Sequence, residues 1–167
     1  MRKLLVSLLC ATALVASAAD RRAPGFDLMD HRGGWHDLND YRGKPVLLAF
    51  IETTCPQCAT FSEKLEEAKQ KFGDKIGILA VVVAPKDNVA KIAPFVAGHK
   101  LTYPVVFDMG QMTFSYVMSP TLAFPTLFLI DANGNIQSQQ TYGPLNKDLF
   151  TGSGLTDAIT RLMNVKK

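Results

Sequence analysis

The chain has 167 residues, 47% of them apolar and 20% charged, which is enough for one domain with a sizeable core. Its formal net charge of +3 is too small to carry a nucleic-acid or membrane-surface signal. Three cysteines, at positions 10, 55 and 58, are too few for a disulfide-stapled scaffold.

Arg2 and Lys3 precede an apolar stretch over residues 4–16, followed by the small residues Ser17, Ala18 and Ala19. Charge, apolar core and small-residue site in that order read as a secretory signal peptide over residues 1–19. The stretch is too short for a permanent membrane span. Cleavage near Ala18 or Ala19 leaves a single domain over residues 20–167, exported or periplasmic, and removes Cys10, which the bulky Leu8 and Leu9 make a poor lipidation site. A retained N-terminal anchor is the alternative. Without Arg2 and Lys3 the net charge falls to +1.

Residues 26–29 and 34–37 flank the turn-forming Asp30, His31, Arg32 and Gly33, which predicts an N-terminal β-hairpin. After a polar connection, residues 45–51 are almost uniformly apolar, as in a central strand covered on both faces. Phe61, Leu65, Ala68 and Phe72 recur at helical spacing, predicting an amphipathic helix over 56–72. Residues 76–83 form a second buried strand, and 85–97 a helix bent or split at Pro94. A short strand over 103–107 and a short helix over 110–117 follow. Residues 126–130 and 135–141 pair as a hairpin across Asp131, Ala132, Asn133 and Gly134. A last helix over 146–163 is weakened by Gly152 and Gly154. Strands alternating with helices, then a hairpin, give an α/β fold whose mixed central sheet carries helices on both faces.

Cys55, Pro56, Gln57 and Cys58 form a CxxC where the first core strand gives way to the first helix. Backbone N–H groups and the positive end of the helix dipole stabilise a thiolate there, and the thiolate is the species that attacks a disulfide. In an exported chain the pair therefore reads as a redox-active disulfide that needs no further cofactor. Pro56 suits the first helical position, which needs no N–H donor. Gln57 can donate a hydrogen bond to sulfur but brings no positive charge, so the couple is expected nearer the reducing than the strongly oxidising end.

Four segments in order carry a family likeness: Ala23, Pro24, Gly25 and Phe26; residues 38–48, LNDYRGKPVLL; the CPQC; and residues 124–136, FPTLFLIDANGNI. On these the chain resembles the thioredoxin-like exported thiol-disulfide oxidoreductases of the TlpA/DsbE type, relatives of the AhpC/TSA peroxiredoxins. The resemblance implies that Cys55 is the exposed nucleophile, Cys58 the resolving thiol and Pro125 a cis-proline facing them, with the backbone of Phe124 placed against an extended substrate segment. Pro56 and Gln57 would complete the substrate-binding surface. It also favours reduction of disulfides of exported proteins, apocytochrome c among them, with a membrane electron donor or acceptor as redox partner; a monomer is expected. A general oxidase or isomerase of secreted disulfides is the alternative within redox chemistry.

Three positions depart from the family pattern. Thr54 stands where Trp usually precedes the first cysteine, Ala49 where thioredoxins keep a buried Asp, and Phe124 where a small residue is usual. With Ala49 silent, Glu52 at the strand end is the candidate proton acceptor for Cys58, provided it is partly desolvated.

Other classes fit less well. Cu(I) binding would need Met109, Met112, Met118 or His99 to join the cysteines as soft ligands, whereas methionines there also serve to pack a short helix. His31, His36 and His99 have simpler readings as solvated or locally satisfied. A peroxiredoxin needs Thr or Ser three residues before its cysteine; that place holds Glu52, and Thr53 and Thr54 are out of register. Trp35, Tyr41, Phe61 and Phe124 are aromatic candidates for a partner groove, though Trp35 in the hairpin is expected to plug the core.

Overall fold

The computed structural model describes residues 21–83, 87–119 and 121–165. The expected signal segment, Cys10 and the expected helix start at Pro85 lie outside the described residues. Among the described residues eight strands form two sheets. β1 (Arg21–Arg22), β4 (Val46–Ile51), β5 (Gly77–Val83), β6 (Val105–Asp108), β7 (Thr126–Ile130) and β8 (Asn135–Thr141) make a mixed sheet in the order β1-β8-β7-β4-β5-β6. β2 (Asp27–Met29) and β3 (Trp35–Asp37) form the expected separate hairpin. The helices are α1 (Pro56–Phe72), α2 (Ile92–Gly98), α3 (Gln111–Val117), α4 (Lys147–Thr151) and α5 (Gly154–Met163).

β4 lies inside the sheet, parallel to β5 and antiparallel to β7, and all six of its side chains are buried. Alternation sends Leu47, Ala49 and Ile51 to one core, with Phe61 and Leu65 of α1, Ile159 of α5 and Phe150 of α4. Val46, Leu48 and Phe50 point the other way, into a second core with Met112 and Tyr116 of α3 and Phe128 of β7. Each such buried side chain contributes about 1.5–3 kcal/mol, so the two cores together fix where β4 ends.

Several expectations are corrected. β1 escaped the sequence pattern because two arginines carry no apolar alternation, yet their backbones pair with Ile136 and Asn135. The second helix begins at Ile92, leaving Pro94 in its first turn, where a missing N–H breaks nothing. The last helix is two. α4 ends at Gly152, where the Asp148 carboxylate occupies the space a Cβ would need, and α5 restarts at Gly154. Trp35 does not plug the core: it is 66% exposed and sits opposite Met29 on the outer face of the hairpin. Gly77 is required because the Tyr41 ring lies where its side chain would stand.

The hairpin turn is held by Asp30, which is buried and accepts from the N–H groups of Arg32 at 2.8 Å and Gly34 at 2.9 Å, with His36 Nε2 at 3.1 Å. Burial alone would raise its pKa; the Gly34 and Arg32 N–H groups, His36 and the Arg32 charge outweigh this and hold it at about 2, against 3.8 ordinarily. The folded form therefore binds this proton less readily than the unfolded one. Its contribution to stability is complete above pH 3.8 and is lost as pH falls through about 2. Asp30→Asn should cost about 2 kcal/mol near pH 7 in urea unfolding, with the gap to wild type closing below pH 3. Phe61→Ala, which removes the ring tilted against Phe150 with centroids 4.8 Å apart, should cost about 3–5 kcal/mol by the same measurement.

Candidate active site

The sheet presents the C-terminal end of β4 as the base of the site. Residues 52–55 turn out of the strand, with the Cys55 N–H donating to the Glu52 carbonyl at 3.2 Å. Cys55 then caps α1 in extended backbone conformation, and Pro56 takes the first helical position as expected. The Cys55 sulfur accepts the Cys58 N–H at 3.3 Å, so one of the helix's orphan donors is spent on sulfur. Cys58, one turn further on, faces inward, and its sulfur accepts the Glu52 N–H at 3.4 Å. Both cysteines are free thiols in this structure.

The two thiols occupy different surroundings. Cys55 is half-buried, whereas Cys58 is fully buried among Ala49, Phe61 and Leu127. Burial pushes the Cys58 thiol strongly upward, and its hydrogen bond to Cys55 and the nearby Cys55 and Glu52 charges push the same way; the Glu52 N–H opposes them. Cys58 is therefore a thiol across the neutral range.

Glu52 is half-buried rather than enclosed, and its carboxylate accepts from the Thr54 hydroxyl at 3.4 Å. Gln57 is exposed and does not donate to sulfur; its side-chain oxygen faces the Cys55 thiol at 3.5 Å as an acceptor. Pro56 and Thr54 are also exposed beside Cys55.

Pro125 is cis, as the resemblance implied. Thr126 pairs with Phe50, so the next step of the antiparallel register brings Pro125 alongside Ile51, where the cysteine turn departs. Its carbonyl accepts the Tyr142 N–H at 3.0 Å, and Phe124 and Tyr142 pack against the same core as the cysteines. Phe61, by contrast, is fully buried and cannot line a groove. Tyr41 packs against the second core, on the opposite face of the sheet from Cys58.

The copper candidates are not assembled. Met112 is buried in the second core, across the sheet from Cys58, while Met109 and Met118 are 81% and 71% exposed and do not pack the helix. His99 faces Glu63 at 2.9 Å and His36 faces Asp30. No group of three His, Cys, Asp or Glu placed to hold a metal occurs among the described residues.

One participant escaped the sequence reading altogether. Asp87, just beyond β5, buries its carboxylate and accepts the Thr53 N–H at 2.6 Å and its neighbour Asn88 N–H at 3.0 Å. An Asp-Asn pair after a strand reads as an ordinary loop, and nothing local signals a partner 34 positions away. Brief iodoacetamide treatment of the reduced native protein at pH 7 should label Cys55 alone, with the Cys58 adduct appearing in mass spectra only after unfolding.

Comparison with known proteins agrees with this geometry. The AhpC/TSA family profile matches residues 19–139. The thiol-disulfide oxidoreductase ResA of Geobacillus thermodenitrificans is 39% identical over 142 residues, which span 82% of this chain and 76% of that one. The thioredoxin-like protein YneN of Bacillus subtilis is 29% identical over 118 residues, covering 70% of this chain and 68% of its own. Among solved structures, a thioredoxin-family thiol:disulfide interchange protein from Chlorobium tepidum superposes with a TM-score of 0.71 at 17% identity, over 89% of this chain and all of that one. A CxxC at a strand–helix junction, a mixed thioredoxin-like sheet and these relatives together place the chain in the AhpC/TSA family, among its thioredoxin-like thiol-disulfide oxidoreductases of the TlpA/DsbE type.

Proposed function

We propose that the chain reduces disulfides of exported proteins through Cys55 and Cys58. The observation that carries this is the unequal pair: one thiol half-exposed at the cap of α1, the other buried one turn behind it with its sulfur held by a backbone N–H. The Cys55 thiolate attacks a partner disulfide, forming a mixed disulfide and releasing one partner thiolate. Cys58 then loses its proton and attacks the Cys55 sulfur. The second partner thiolate leaves, and two electrons have passed from the dithiol to the partner. Oxidation of Cys55 and Cys58 to a disulfide completes the balance, and a membrane electron donor restores the dithiol.

Pro56 and Gln57, which follow Cys55 in the chain, together with Phe124 and Pro125, are proposed to bind the substrate segment. The resemblance favours the haem-attachment cysteines of apocytochrome c as substrate, in an exported compartment reached through the signal over residues 1–19. Among the described residues no helix is long and apolar enough to cross a membrane. We propose no cofactor beyond the disulfide itself.

Because the Cys58 thiol must lose a proton that burial makes it hold tightly, a base is needed, and the Glu52 carboxylate is the one whose charge reaches it. Glu52→Gln should slow resolution of the mixed disulfide about tenfold at pH 7; unchanged rates across pH 6–9 would remove Glu52 from the mechanism. The overall reading is tested with an oxidised Cys-x-x-Cys-His peptide. Cys58→Ser should accumulate a covalent complex with it and Cys55→Ser should form none. Reduction by Cys55→Ser at the wild-type rate would overturn the proposal.

A further inference from the structure

The geometry points to Asp87 as the positioning residue that sets the cysteine turn, an inference that rests on the redox reading of Cys55 and Cys58. Residue 52 holds both sulfur-bearing residues: its N–H donates to the Cys58 sulfur at 3.4 Å, and its carbonyl accepts the Cys55 N–H at 3.2 Å. That carbonyl shares a peptide unit with the Thr53 N–H, which is the group Asp87 grips at 2.6 Å. The contact is short, as expected of a charge-assisted hydrogen bond. A carboxylate on one side of a peptide polarises it and makes its carbonyl a better acceptor on the other. The chain of contacts therefore runs from Asp87 through the 52–53 peptide to Cys55, and the same constraint on residue 52 keeps its N–H aimed at Cys58.

Asp87 is built to stay put. Its side chain has no exposed surface, its second oxygen accepts the Asn88 N–H at 3.0 Å, and Lys91 Nζ lies 3.5 Å away. The segment carrying it is tied down in turn, since the Asn88 side chain accepts the Ala90 N–H at 3.1 Å at the start of a short 3-10 turn. Burial alone would raise its pKa, but the contacts from Thr53, Asn88 and Lys91 outweigh that and hold the carboxyl below its ordinary value. A group so placed stays ionised and has its oxygens occupied, which suits a fixed clamp and not a proton relay. Glu52 and Asp87 thus divide two tasks between two carboxylates: one is half-exposed next to the sulfurs, and the other is sealed behind the turn.

The test compares wild type, Asp87→Asn and Asp87→Ala in the full mature protein. The readouts are the first-order closure of the mixed disulfide formed with glutathione disulfide and the equilibrium potential of the couple, both normalised to folded protein. Asn keeps an oxygen for the Thr53 N–H, whereas Ala leaves that N–H buried and unpaired. Closure should slow at least about tenfold in the Ala variant, and the Asn variant should recover most of the loss. The potential should shift in the same rank order. If Asp87 only stabilised the fold, Tm would fall while closure rate and potential stayed at wild-type values, and the inference would be wrong. Should the Ala variant fail to fold, Asp87→Ser takes its place, since the shorter side chain falls short of the Thr53 N–H: closure there at the wild-type rate overturns the clamp. Wild type that forms no mixed disulfide would instead discredit the redox reading beneath it.

Discussion

Everything at the site depends on where one strand stops. β4 is hydrogen-bonded on both edges and buried on both faces, so its last residue is fixed by two ladders and two cores at once. Cys55 comes four residues after that end, in a turn closed by one hydrogen bond, and immediately caps a 17-residue helix. A sulfur placed this way inherits the rigidity of the sheet and the N–H groups of the helix. Neither element alone supplies both.

Chemical asymmetry follows from that placement. The helix start lies at the surface, so its cap is accessible; one turn later the same helix packs into the core that holds Ala49 and Leu127, so Cys58 is enclosed. Burial stabilises the neutral thiol of Cys58, and the backbone of residue 52 supplies the opposing N–H. The proposed division into attacking and resolving thiols follows from a helix crossing a boundary between solvent and core. The small Ala49, where thioredoxins keep an acid, leaves that enclosure apolar.

Much of this could be read from residue order. The apolar run at 45–51, the proline at 56 and the helical spacing that ends at Phe72 bracket β4 and α1, and the structure places those elements within a residue of the expected ends. Pro125 was legible only through the family likeness, because its cis bond has no local cause in the residues around it. Trp35 misled because a three-residue strand has too few positions for alternation to reveal which face is outward; Leu28, its diagonal neighbour, turned inward instead. The break between α4 and α5 turned on the Asp148 side chain folding over Gly152, a contact that helix propensity does not encode. Asp87 was illegible for a deeper reason. Its role is a tertiary hydrogen bond to a backbone N–H, and backbone groups carry no sequence signature.

The most direct measurement is the redox potential of the Cys55 and Cys58 couple, obtained by equilibrating the purified mature protein in glutathione or dithiothreitol buffers and quantifying the intramolecular disulfide. Gln57, a neutral residue between the cysteines that brings no positive charge to them, predicts a reversible couple at or below about −250 mV, suited to a reductant. A potential above about −180 mV would contradict the reducing direction, and failure to form the disulfide in any buffer would contradict the redox account as a whole.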